Sequence, residues 1–252
     1  MYVGRKEIWY KDLTFQILKQ KNCLITGATG GIGEKLAIKL AENHCNLLLT
    51  STSRKKLLSL KQKINKMRYG IHVSVLVADL IKDNELKKIV EHARSFNHID
   101  ILVNCAGVFP QNFLNKSNLQ EFDNCFNVNI RAPFFLCQEF SKHMINRKWG
   151  RIVNIGSSSS YAGFSKTSVY CASKHAILGF SRSLHEELKH HNVRTYCISP
   201  SSVKTRMGKT IKNQNYESFI DPNDVADFIV KIISYDNEMI PNEVQLKRMI
   251  VK

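Results

Sequence analysis

Residues 168–176 read SVYCASKHA, and within them Tyr170 and Lys174 stand four apart with only Cys171, Ala172 and Ser173 between. A helix turns ~100° per residue, so positions four apart share a face. A free phenol has a pKa of ~10, and a nearby ammonium favours the phenolate. Bringing that value to ~7 takes about 4 kcal/mol of differential stabilisation, and a lysine in a partly dry site can supply a large part of it. The pair then reads as a proton donor and acceptor usable near neutrality. The same spacing is common on plain helix surface, so the surroundings decide.

A second stretch with chemical content is LITGATGGIGEKLAIKLAENH, residues 24–44. It runs from an apolar strand through Gly27, Gly30, Gly31 and Gly33 into an amphipathic helix. Glycine allows the sharp turn and a close approach of a phosphate to the amides, and the helix N-terminus adds free N–H donors and a positive dipole end. The spacing differs from the common G-x-G-x-x-G, and a tight turn with no ligand would also account for the glycines. Following a strand in the first βαβ unit, however, the turn reads as a dinucleotide cradle.

The second strand distinguishes the dinucleotides. NAD-type sites carry an acid there for the ribose hydroxyls. Here the segment LLLTSTSRKKLLSLKQKINKMR, 47–68, contains no Asp or Glu and brings seven basic residues from Arg54 to Arg68. Thr52 and Ser53 offer hydroxyls, and Arg54 and Lys55 follow at once. The absence of a repelling carboxylate favours NADP(H) over NAD(H). A solvated basic face accounts for the later lysines with either coenzyme.

The elements that must hold these residues alternate. Apolar runs at 23–27, 46–51, 72–80, 99–107, 151–157 and 193–200 read as buried parallel strands, with a short last strand at 242–248. Helical patterns fall between them at 31–43, 54–68, 83–95, 120–147, 168–190 and 222–235. This predicts an α/β chain: one doubly wound, Rossmann-type domain with about seven parallel strands and helices on both faces. Residues 1–21 would be an N-terminal extension, and the aperiodic 201–221 a substrate lid.

The totals agree with a globular chain: 252 residues, 43% apolar, 37 Lys and Arg against 21 Asp and Glu for a net charge of +16. Seven scattered cysteines without a CxxC pair suit a reducing cytoplasm. The N-terminus lacks the apolar core of a secretory signal, and no apolar run approaches membrane-spanning length.

Taken together, TGATGGIG, VADL, NCAG, NVNIRAPF, NIGS, YCASK and SPSSVKTRM, in that order over about residues 22–207, resemble the short-chain dehydrogenases/reductases. They look most like the compact branch that includes the 3-oxoacyl-carrier-protein reductases. The resemblance implies roles. Tyr170 would be the general acid/base, and Lys174 would depress its pKa and hold the nicotinamide ribose. Ser157 would hydrogen-bond the substrate carbonyl, and Asn129 would hold a water relaying protons towards Lys174. Gly27, Thr29, Gly31, Ile32 and Gly33 would cradle the pyrophosphate, while Thr52, Ser53 and Arg54 would meet the ribose phosphate. Asp79 and Leu80 would border the adenine, and Asn104, Ala106 and Gly107 would pass under its ribose. Pro200, Val203 and Thr205 would flank the nicotinamide.

The chain departs from the family pattern in four places. Gly30 stands where related NADP(H) enzymes often have Arg, and Ser201 where Gly follows the proline. The last strand ends in LKRMIVK rather than Gly-Gly, and about twenty residues precede the first strand.

Other motifs fail on spacing. LHEELKHH puts Lys189 where a zinc helix needs its second histidine, and IGSSSS lacks the second glycine of a nucleophile elbow. The basic residues are spread along the chain with no nucleic-acid module, which argues against nucleic acid as the main partner. The expectation is an NADPH-dependent carbonyl reductase, and the resemblance implies a homodimer or homotetramer. The positive surface suits an acidic substrate, such as an acyl chain on an acidic carrier or a sugar nucleotide. NAD-dependent alcohol oxidation by the same residues is the alternative, and a catalytically silent dinucleotide sensor is the alternative of another class.

Overall fold

The computed structural model describes residues 16–211 and 213–249. Seven parallel strands form one sheet in the order β3-β2-β1-β4-β5-β6-β7. They are β1 (Asn22–Thr26), β2 (Asn46–Ser51), β3 (Val73–Val77), β4 (Ile101–Asn104), β5 (Gly150–Ile155), β6 (Val193–Pro200) and β7 (Glu243–Leu246). The predicted single Rossmann-type domain is present, with β3 and β4 shorter than the apolar runs because Ala78–Leu80 and Cys105–Gly107 leave the sheet to line a cavity.

Period-two alternation divides the core. Cys23, Ile25, Leu47, Leu49, Ile101, Val103 and Val153 point to one face of the sheet, while Leu24, Leu48, Leu102 and Ile152 point to the other. The first face is covered by α1 (Gly31–Glu42), α2 (Arg54–Lys66) and α7 (Pro222–Ile233), the second by α3 (Asp83–Ala93), α5 (Ala132–Arg147) and α6 (Ser168–Leu188). Helix α2 shows how little a strongly basic helix needs: Leu57, Leu60 and Ile64, spaced three and four apart, are its buried stripe. Each such side chain contributes about 1.5–3 kcal/mol on burial.

The long helix expected over 120–147 is interrupted. After α4 (Leu119–Phe126), Asn127–Arg131 form a turn of π-helix that leads into α5. Pro133 supplies a reason: it has no N–H to donate to the carbonyl of Asn129 four residues earlier. The widened turn directs Val128 and Asn129 inward.

Of the expected N-terminal extension, residues 1–15 lie outside the described residues. Leu18 is fully buried in the core, and its carbonyl accepts from the Cys45 thiol at 3.2 Å. At the other end, residues 250–252 of LKRMIVK lie outside the described residues. Arg248 donates to Gln214 Oε1 at 3.0 Å and to Ser218 Oγ at 3.2 Å, tying the chain's end to the expected lid.

Burial has a measurable consequence at alkaline pH. It raises the thiols of Cys23 and Cys45, pushes Cys137 up to about 12, and raises the Tyr196 phenol. The unfolded chain loses these protons from ~8.5 for thiols and ~10 for phenols. Between those values and the raised ones, the folded chain binds more protons, so stability falls as pH rises. The thermal midpoint is therefore expected to drop steadily from pH 8 to about pH 11, and an unchanged midpoint over that interval would contradict the burial.

Candidate active site

The carboxyl ends of β1, β4, β5 and β6 open into a cavity of about 850 Å³. It lies where strand order reverses between β1 and β4, the crevice in which doubly wound sheets bind ligands. Thr26 Oγ1 accepts from the amides of Cys105 and Ala106, both at 3.2 Å, and so joins the two strand ends.

The first turn is built to let something close. Gly27 has φ +64°, and a Cβ there would sit 2.6 Å from Ala106 Cα. One on Gly33 would sit 2.4 Å from the Gly27 carbonyl oxygen. Gly31 lies against Thr205. Gly30, the N-cap of helix α1, brings no side-chain cap, which leaves the helix's first amides free for an anion. Thr29, Gly30 and Ile32 line the cavity. Thr50, also on its wall and buried, has a hydroxyl with no hydrogen-bond partner. A glycine cradle, an uncapped helix start and an orphaned hydroxyl in a cavity of this volume fit a dinucleotide.

Thr52 lines the cavity, but Ser53 and Arg54 do not; they cap and open α2 just beyond the rim. Asp79 and Leu80 lie on the wall, with Asp79 Oδ1 accepting from the Ile81 amide at 3.2 Å. Ala106 and Gly107 are there as well, and so are Pro200, Val203 and Thr205 at the other end. Asn104, the first residue of NCAG, uses its side chain for structure. Its side chain is buried away from the cavity and donates to Asn154 Oδ1 at 2.8 Å, and Asn154 in turn donates to Ser181 Oγ at 2.9 Å. That amide braces β4, β5 and α6.

Ser157, Tyr170 and Lys174 meet on the cavity wall. Ser157 is fixed by its own loop: its hydroxyl accepts from the Ser159 amide at 3.1 Å, and its amide donates to Ser160 Oγ at 3.2 Å. Lys174 is buried and donates to the Ile155 carbonyl oxygen at 2.7 Å. Asn129 stands behind Gly107. Its Oδ1 accepts from the Val108 amide at 3.0 Å, and its Nδ2 donates to Ser173 Oγ at 2.9 Å. A point at the Gly107 Cβ position would be 3.4 Å from Asn129 Oδ1 and 3.9 Å from Lys174 Nζ, so the two groups converge there.

The electrostatics differ from the expectation. Burial pushes the Tyr170 phenol up to about 12, with Ser157 pulling it partly back. The ammonium lies 5.6 Å from the Tyr170 ring centroid and is committed to Ile155. Burial also lowers the pKa of Lys174. In this structure desolvation is the largest influence on Tyr170, and it favours the protonated phenol. Sequence reasoning missed two partners. Phe109 sets its ring edge-on to Tyr170 with centroids 4.5 Å apart, and Ile155 supplies only a backbone carbonyl. Ser173 was visible in YCASK, but its hydrogen bond to Asn129 required the π-turn.

A slot that accepts a dinucleotide and ends at a held phenol suits hydride transfer, and so a nicotinamide-dependent oxidoreductase. Sequence comparison narrows the class: the short chain dehydrogenase family profile matches residues 21–216, and the chain belongs to that family. It is 30% identical over 237 residues to an uncharacterized oxidoreductase of Staphylococcus saprophyticus, covering 90% of this chain and 95% of that one. A 3-oxoacyl-[acyl-carrier-protein] reductase of Aquifex aeolicus is 29% identical over 237 residues, with the same coverage. A crystal structure of a metagenomic short-chain oxidoreductase in complex with NADP superposes with a TM-score of 0.81 at 27% identity, over 93% of this chain and 99% of that one. No helix among the described residues is long and apolar enough to cross a membrane.

Proposed function

We propose that the protein reduces a ketone or aldehyde to an alcohol with NADPH. The observation that carries this reading is Tyr170, buried beside Ser157 on the wall of the cavity that starts at the glycine turn. Bound NADPH supplies the hydride. Ser157 and Tyr170 hold the carbonyl oxygen, and Tyr170 gives it a proton. A phenol of high pKa is always loaded as an acid near neutrality, and the alkoxide it meets is a stronger base. Lys174 would hold the ribose, and Asn129 would hold a water that relays a proton towards Lys174 and so back to the phenol.

The preference for NADPH is supported by Thr52 on the wall, the exposed basic start of α2 and the absence of an acid from β2 and α2. A relative solved with NADP is consistent with it. Residues 201–221 act as the lid, and the protein works in the cytoplasm. Phe134 is half exposed and packs against Phe180, 5.9 Å between centroids, on the outer face of α5 and α6, which suits a homodimer or homotetramer. A substrate attached to an acidic carrier would suit the net charge of +16.

The test is a screen of carbonyl compounds with NADPH, begun with acyl-carrier and sugar-nucleotide ketones and followed at 340 nm. Consumption of NADPH with formation of the alcohol is the expected result. If no carbonyl is reduced while NADPH binds, the reading fails and a silent sensor replaces it.

A further inference from the structure

Beyond the tyrosine, the cavity has a mouth formed by parts of three loops, within 108–111, 158–167 and 205–211. Gln111 Nε2 donates to Thr210 Oγ1 at 2.8 Å and links the first loop to the lid. Apolar side chains stand exposed at this mouth, Phe164 at 50% and Met207 at 39%, with Phe113, 51% exposed, just outside the lining. Cations are set among them. Lys166 holds its ammonium 4.6 Å over the Phe113 ring, and Arg206 reaches the same cavity from the lid. Neither is paired with a carboxylate among the described residues, and Asp79, at the adenine end, is the one acid on the wall.

The backbone at Lys166 is unusual. Among the described residues, eight non-glycines have positive φ, and six of them end or follow helical segments. The exceptions, Lys166 at +67° and Asn213 at +59°, both line the cavity. Lys166 is third in a turn closed by the Thr167 amide donating to the Phe164 carbonyl at 3.3 Å. Glycine or asparagine is the ordinary choice at a left-handed position of such a turn. Strain retained at a cavity wall points to use of the side chain there.

We propose that Lys166, assisted by Arg206, recognises an anionic group, carboxylate or phosphate, at the far end of an otherwise apolar ketone. This rests on the reductase reading of the same cavity. The carbonyl lies at Tyr170 and Ser157, and the apolar body follows the rings of Phe109 and Phe164 on the wall. Phe109 touches Tyr170 at the phenol, and Lys166 lines the same cavity at its mouth, its ammonium over Phe113 just outside, so aromatic rings flank both the phenol and the cation. The partial cation–π contact keeps the ammonium at the mouth without neutralising it.

The test uses matched probes: 4-acetylbenzoate against its methyl ester, and 4-acetylphenyl phosphate against 4-methoxyacetophenone. Binding is measured calorimetrically on the Tyr170→Phe protein saturated with NADPH, so that turnover plays no part. Each anion is expected to bind about tenfold more tightly than its neutral partner. Lys166→Ala in the same background erases that preference, Lys166→Arg keeps it, and the dissociation constant for NADPH stays unchanged in both. Equal binding of anion and neutral partner overturns the proposal. Weaker NADPH binding in Lys166→Ala also overturns it, because the cation would then serve the coenzyme. Reduction of the same ketones by the unsubstituted protein is scored separately: its absence counts against the reductase reading, while the binding data still decide the role of Lys166.

Discussion

Tyr170→Phe is expected to lower kcat for carbonyl reduction by about a thousandfold while leaving the dissociation constant for NADPH within about twofold. The substitution removes one hydroxyl from a ring already packed edge-on against Phe109, so the cavity keeps its shape. It leaves Lys174 on the Ile155 carbonyl and Ser157 in its loop. What it removes is the proton. A substrate alkoxide would then have only water to protonate it, and water is a poorly placed and weaker acid. Stopped-flow turnover beside fluorescence titration of NADPH separates the two effects. Unchanged kcat in the variant would end the mechanism.

The same phenol fixes a pH dependence. With burial holding Tyr170 at about 12, it stays protonated throughout the neutral range. Reductive kcat is therefore expected to be flat between about pH 6 and pH 9, with no limb from this residue. The reverse reaction needs the phenolate, roughly one molecule in ten thousand at pH 8, so alcohol oxidation should rise about tenfold per pH unit over that range. An oxidative rate that levels near pH 7 would mean that the bound coenzyme brings the phenol far down, as the spacing of Tyr170 and Lys174 alone suggests.

That contrast shows what a sequence can and cannot disclose. Spacing along a helix is local, so the shared face of Tyr170 and Lys174 was legible, and so were the glycine turn and the strand–helix alternation that order the sheet. The balance between an ammonium and desolvation is not local. It depends on Phe109 from the β4 loop and on Ile155 at the end of β5, neither marked by any periodicity. The side-chain partner of Asn104 was hidden for a related reason. NCAG follows a strand into the cavity, but alternation turns its first side chain into the sheet, where Asn154 is its partner in register. The π-turn at Asn127–Arg131 was hidden because Pro133 looks like an ordinary helix-start residue until the preceding turn is seen to be helical as well.

Thr52→Asp is expected to weaken NADPH binding by about a hundredfold while NADH binding holds or improves. Thr52 is the residue after β2 that reaches the cavity wall, the place from which the adenosine ribose would be read. A carboxylate there can accept from two ribose hydroxyls but opposes a ribose phosphate. At ~4 Å a like-charge contact costs about 1–4 kcal/mol per charge pair between bulk water and a surface-like dielectric, and a phosphate carries more than one charge. The variant should fold normally. Position 52 is exposed and immediately precedes Ser53, the N-cap of α2, where a negative charge favours the helix dipole. Arg54→Ala gives a smaller loss because Arg54 is exposed and stands beyond the rim. Equilibrium titration of both coenzymes against the three proteins decides the matter. Equal affinity of the unsubstituted protein for NADPH and NADH, or an aspartate variant that still prefers NADPH, would show that the basic start of α2 is only a solvated surface.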